Sequence, residues 1–223
     1  MKTHKLAVLF LLVGLLLATT AQAALFRVGP NDVPSPPGNG YPLWYQDTLG
    51  VALDLCVPTT VNQLDPCLLA PLPGAPPPTL PFSFPDNWLD EFFWYGADAT
   101  LDFDGTNSAL LVQAVEAAFG GGPPAIGDQI TFARIRIRID APVDGNYTVT
   151  YPYGEQVFPN VTAGIKAINV TSDIGIGAPG DFTGALNSAI GPFLTPVDAV
   201  ELLLPPSLYR VQEVSMTFSS PME

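Results

Sequence analysis

Residues 130–140 read ITFARIRIRID, where Ile135, Ile137 and Ile139 alternate with Arg134, Arg136 and Arg138. Side chains switch faces at every step of a strand, whereas a helix repeats every 3.6 residues. The segment is therefore a half-buried β-strand with one apolar and one cationic face. Such a strand needs a sheet around it and a second layer over its isoleucines. Asp144-Gly145 follows as a turn signal, and Tyr147–Tyr151 alternates again. The spacing predicts a β-hairpin between 130–140 and 147–151.

The rest of the chain suits the same architecture. With 25 prolines and 20 glycines, long helices are disfavoured and many short strands joined by turns are expected. Residues 50–56 and 165–171 read as strands, with a glycine-rich loop over 173–180. Residues 208–218 read as a last strand through Val214, Met216 and Phe218. Residues 109–119, ALLVQAVEAAF, are ambiguous. Alanine content and a following Gly120 favour helix, while Leu111, Val115, Ala117 and Phe119 fit a buried strand between strands, the reading adopted. Thr195-Pro196-Val197-Asp198 has the capping threonine and first-turn proline of a helix start, and Pro205-Pro206 would end that helix. Residues 71–81 carry six prolines and read as a semi-rigid surface loop. The expected fold is all-β and mostly antiparallel, a two-sheet β-sandwich of Ig-like or jelly-roll-like type with one short helix near the C-terminus.

The N-terminus carries Lys2 and Lys5, then an apolar run from Leu6 to Ala18, then Ala21-Gln22-Ala23. Basic start, apolar centre and small-residue exit define an export signal cleaved after Ala23. The run falls short of the roughly 20 residues a spanning helix needs, so a secreted or periplasmic, not membrane-spanning, protein of residues 24–223 is expected as one domain. Without the signal, six basic residues face 21 acidic ones, a net charge of −15. That field repels phosphate backbones and argues against nucleic acid as a partner. The only histidine, His4, lies in the signal. Imidazole-dependent triads, Cys-His pairs and His-ligated zinc are thus excluded for residues 24–223, leaving carboxylates or tyrosines for any proton transfer. Cys56 and Cys67 are the only cysteines, and in an oxidising compartment they pair as a structural disulfide.

Three groups of residues carry candidate chemistry. Arg134, Arg136 and Arg138 form a row on one face, spaced by about 6.6–7 Å, able to bind an anionic glycan or another anionic cell-surface component. The competing reading is that neighbouring strands supply carboxylates to the row. Asp98, Asp102, Asp104 and Asn107 are candidate calcium ligands, although the glycine and position-12 spacing of an EF-hand is not met; a plain Asp-Gly turn is the alternative. Asp86, Asp90 and Glu91 beside Trp88 and Trp94 could serve as a glycosidase acid/base pair with stacking rings, or those rings could be core. Asn146, Asn160 and Asn169 begin Asn-x-Thr sequons, relevant only where glycosylation occurs.

Several blocks resemble a group of uncharacterised secreted bacterial proteins: GYPLWY at 40–45, the strand ending at Cys56, FPDN at 84–87, GDQITFARIRIRID, GNYTVTYPYG and FTGALNSAIGPFL. The resemblance spans roughly 38–194 and implies no activity, ligand or site. It stops short of residues 195–223, which it marks as a divergent or truncated tail. The functional expectation is a secreted non-catalytic module for binding, adhesion or surface structure, with a carboxylate-dependent glycoside hydrolase as the alternative.

Overall fold

The computed structural model describes residues 25–33, 37–61, 67, 79–194 and 217–219. The expected export signal, residues 71–78, the expected helix start at Thr195 and residues 208–216 lie outside the described residues. The fold is all-β and β-sandwich-like, with ten strands among the described residues: β1 Leu25–Val28, β2 Trp44–Asp47, β3 Ala52–Asp54, β4 Phe92–Asp102, β5 Ser108–Phe119, β6 Gln129–Ala141, β7 Gly145–Tyr151, β8 Gly154–Val161, β9 Gly164–Ile174 and β10 Thr217–Ser219. Every pairing is antiparallel. A 3-10 turn spans Gly184–Asn187.

The ambiguous segment 109–119 is strand β5. It lies between β4 and β6, in a four-stranded sheet of order β4-β5-β6-β9. Burial on both faces explains why its sequence is nearly continuous in apolar residues and so hid its period of two. Leu111, Val115, Ile137, Ile139 and Ile168 project from one face of this sheet into the core. Across from them stand Tyr45 and Leu53 of sheet β1-β2-β3, and Tyr147 and Val149 of sheet β10-β7-β8. The second layer is thus two three-stranded sheets rather than one.

The predicted hairpin between β6 and β7 is corrected. Both strands exist where expected, but β6 pairs with β5 on one edge and β9 on the other, which leaves it no free edge. β7 pairs instead with β8 and β10. The Asp144-Gly145 turn carries the chain from one sheet to the other. Tyr147 closes that corner by donating its hydroxyl to the Val143 carbonyl at 2.7 Å.

Three buried tyrosines and the partly buried Tyr153 tie the layers together. Tyr45 Oη donates to the Phe182 carbonyl at 2.6 Å and lies 2.7 Å from Thr131 Oγ1 of β6. Tyr41 Oη donates to the Ala118 carbonyl of β5. Tyr153 Oη meets Tyr95 Oη and donates to the Pro192 carbonyl at 2.9 Å. Burial pushes all four hydroxyls up, Tyr95 to about 12, so each stays protonated and able to donate. Cys56 and Cys67 form the expected disulfide, with Cα atoms 5.2 Å apart. The Cys56 N–H donates to the Phe93 carbonyl, anchoring the bridge beside β4.

Candidate functional site

The face of the four-stranded sheet turned away from the core carries the arginine row. On it Arg134 faces Ala114 of β5 and Asp173 of β9; Arg136 faces Val112 and Thr171; Arg138 faces Leu110 and Asn169. β6 orients the three guanidiniums alike because the residues are two apart. Their partners differ, and that difference divides the row.

Arg134 is neutralised. Its Nε and Nη2 grip both oxygens of Asp173 at 2.8 and 2.9 Å, a bidentate pair. Its Nη1 lies 2.9 Å from Glu116 Oε2 and 3.5 Å from Glu91 Oε1. The guanidinium carbon sits 4.9 Å from the centroid of the Phe132 ring. Glu116 is fully buried, and neither of its oxygens makes an aligned hydrogen bond among the described residues; the Arg134 contact is purely electrostatic. Burial pushes the Glu116 carboxyl up to about 8; the Arg134 charge opposes that rise, while Glu91 and Asp173 add to it. Burial alone would lower the Arg134 pKa, but the hydrogen bonds of Asp173 and the three carboxylate charges reverse it and hold the proton.

Arg136 and Arg138 have no carboxylate within ion-pair distance among the described residues. Arg136 Nε donates to Thr171 Oγ1 and Arg138 Nε to Asn169 Oδ1, both at 3.2 Å. Both partners are neutral. Desolvation, together with the Arg134 and Arg138 charges on either side, lowers the Arg136 pKa. The result is a partly exposed pair of cations, oriented by neutral acceptors and without an ion-pair partner among the described residues; the more distant Glu116 and Asp173 charges oppose the lowering at Arg136 only in part.

Glu116, Thr171, Asn169 and Asp173 were not expected at this face from the sequence. Asn169, Thr171 and Asp173 do alternate, so their common face was legible; their register against β6 was not.

The other candidates assemble differently. Asp102 and Asp104 sit at the β4–β5 turn, where their carboxylates serve the backbone. Asp102 Oδ1 accepts from the N–H groups of Asp104 and Gly105. Asp104 Oδ1 accepts from those of Thr106 and Asn107, and its Oδ2 from Asn107 Nδ2. The Asn107 and Thr106 donors hold Asp104 below the usual carboxylate range. Asp98 lies four residues back on β4, with a partner of its own. Among the described residues no three His, Cys, Asp or Glu side chains are grouped to hold a metal ion.

The aromatic residues are structural. Trp94 is buried, with Nε1 donating to the Pro42 carbonyl at 3.1 Å and its ring edge-on to Tyr45. Trp88 packs against Phe82, Phe84 and Phe92. Asp90 and Glu91 do line a cleft of about 350 Å³ with Ala118, Phe119 and Gly122. Glu116, which shares Arg134 with Glu91, is buried, so Asp90 and Glu91 are the carboxylates that this cleft exposes.

Comparisons with protein families, with curated proteins and with solved structures find no match for this chain.

Proposed function

We propose that the protein is a secreted, non-catalytic binding module that takes an anionic glycan, or another anionic cell-surface component, on the Arg136–Arg138 face. One observation carries the reading: two neighbouring guanidiniums are held by Thr171 and Asn169 and make no ion pair among the described residues, while Asp173, Glu116 and Glu91 surround Arg134, and Asp140, two residues beyond Arg138, accepts from Ser108 and Lys166. An arginine already paired would gain little from an incoming sulfate or uronate. One hydrogen-bonded only to neutral acceptors gains a charge-assisted bond. Export is supported by the basic-apolar-small pattern of residues 1–23 and by the disulfide.

The test is binding of dextran sulfate, with unsulfated dextran as control, in about 0.15 M salt. There the Debye length of about 8 Å screens the overall negative charge more than an adjacent guanidinium. The protein should bind the sulfated polymer, and the double variant R136A/R138A should bind at least about tenfold more weakly, the loss of roughly 1.4 kcal/mol or more expected from two charge-assisted contacts. Equal binding of both polymers, or an unaffected double variant, would remove the arginine pair from function.

A further inference from the structure

A second site lies on the outer face of the β1-β2-β3 sheet, remote from the arginines in sequence and on a different sheet. Trp44 begins β2 and stands directly opposite Asp54 of β3, so the two side chains share a face. They border a cleft of about 370 Å³, whose other walls include Asn39, Leu43, Leu55 and Val57. That volume lies within the roughly 300–1,000 Å³ typical of small-ligand clefts.

The indole is fixed before any ligand arrives. Gly29, directly after β1, lets the ring lie against its backbone; a Cβ there would approach the indole to 2.6 Å. The Arg27 guanidinium lies 5.3 Å from the ring centroid and is itself held by Gln46 Oε1 at 2.6 Å. A tryptophan so pinned, yet only half-buried, differs from Trp94, which is spent in the core. Asp54 is exposed and takes part in no ion pair among the described residues. Leu43, nearly half exposed at 47%, extends the apolar wall.

We infer that this cleft binds a pyranose unit of a neutral glycan. A sugar ring has an apolar C–H face that matches a rigid aromatic wall, and hydroxyls at its edge that donate to a carboxylate. Leu43, Leu55 and Val57 together with Trp44 supply the wall and Asp54 the acceptor. Arg27 is not part of the cleft lining, whose one charged side chain is Asp54; a phosphate or sulfate there would meet a carboxylate, so this ligand class differs from that of the Arg136–Arg138 face. A small organic cation, which could also use an aromatic wall and a carboxylate, is the competing occupant.

The probe is cellohexaose, titrated into the full-length protein with its disulfide intact and followed by tryptophan fluorescence and calorimetry. Binding is expected with a dissociation constant of roughly 0.1–1 mM, with a change in indole emission. Asp54→Asn, at an exposed position, should fold normally and weaken binding at least about fivefold by removing the charged acceptor. Trp44→Phe should remove the emission change and weaken binding further. R136A/R138A should leave cellohexaose binding unchanged, which keeps this site separate from the anionic one. No binding of the hexasaccharide, binding indifferent to Asp54→Asn, or saturation of the cleft by tetramethylammonium in place of the sugar would each overturn the assignment.

Discussion

Asp47→Ala is expected to lower the melting temperature by roughly 6–12 °C, the shift that about 3 kcal/mol produces in a chain of this size. Asp47 is fully buried at the end of β2. Its Oδ1 accepts from the N–H groups of Leu49 and Val51, both at 2.9 Å, and so closes the β2–β3 turn. Its Oδ2 accepts from the Phe193 N–H at 2.9 Å, across 146 residues of chain. One carboxylate therefore holds a local turn and a distant segment whose Phe193 packs on Tyr95. Alanine would leave three backbone donors without their acceptor, each costing about 1–3 kcal/mol if it stays dry. Asp47→Asn keeps one acceptor oxygen and should fall between the two. A thermal melt of the three proteins decides the matter: a shift under about 2 °C for the alanine variant would mean that the turn and the Phe193 segment relax to water at little cost.

The second large effect concerns the buried carboxyl beneath the arginine row, and it depends on pH. Glu116 has an ordinary value of 4.5 and is raised to about 8 by burial, against the opposing pull of Arg134. A group raised on folding binds its proton more tightly in the native state. Its contribution is fully present below pH 4.5 and is lost as the pH rises from there through about 8. A shift of this size corresponds to on the order of several kcal/mol across that window. Glu116→Gln cannot ionise and should not suffer the loss. It is expected to melt near the parent at pH 5 and several degrees above it at pH 8.5. Arg134→Ala should do the opposite at high pH. It removes the cation that makes an ionised Glu116 tolerable, a change costing about 3–5 kcal/mol for a broken buried pair. Adding Glu116→Gln to that variant should restore much of the stability at pH 8.5. Parallel melts at the two pH values test both statements. Identical pH profiles for parent and Glu116→Gln would show that the carboxyl is solvated in the native protein.

Much of the strand content was legible because period-two alternation is a property of neighbouring residues. The Ile/Arg row of β6 and the tyrosines of β7 declare their faces without reference to anything else. The partner of a strand is a different kind of fact. Asp144-Gly145 is good hairpin chemistry, yet β6 had both edges taken by β5 and β9, so the same turn became a corner between sheets. β8, with a pattern of mostly exposed residues, carried little hydrophobic signal, and its edge position explains why. The Asp102–Asn107 segment was ambiguous for a similar reason. Aspartate, glycine and asparagine are the residues of both cation loops and Asx turns, and here their oxygens serve backbone donors.

The sequence by itself determined the all-β class, the disulfide between Cys56 and Cys67, and the common face of Arg134, Arg136 and Arg138. Each follows from composition, from cysteine number or from a spacing of two. Tertiary structure alone decided that Arg134 is spent on Asp173, Glu116 and Glu91 while Arg136 and Arg138 meet Thr171 and Asn169. It also decided that Trp44 and Asp54 share a cleft, and that Asp47 reaches Phe193. These depend on strand register and on contacts across tens of residues, and the energy that selects a register is summed over whole faces rather than written at any one position.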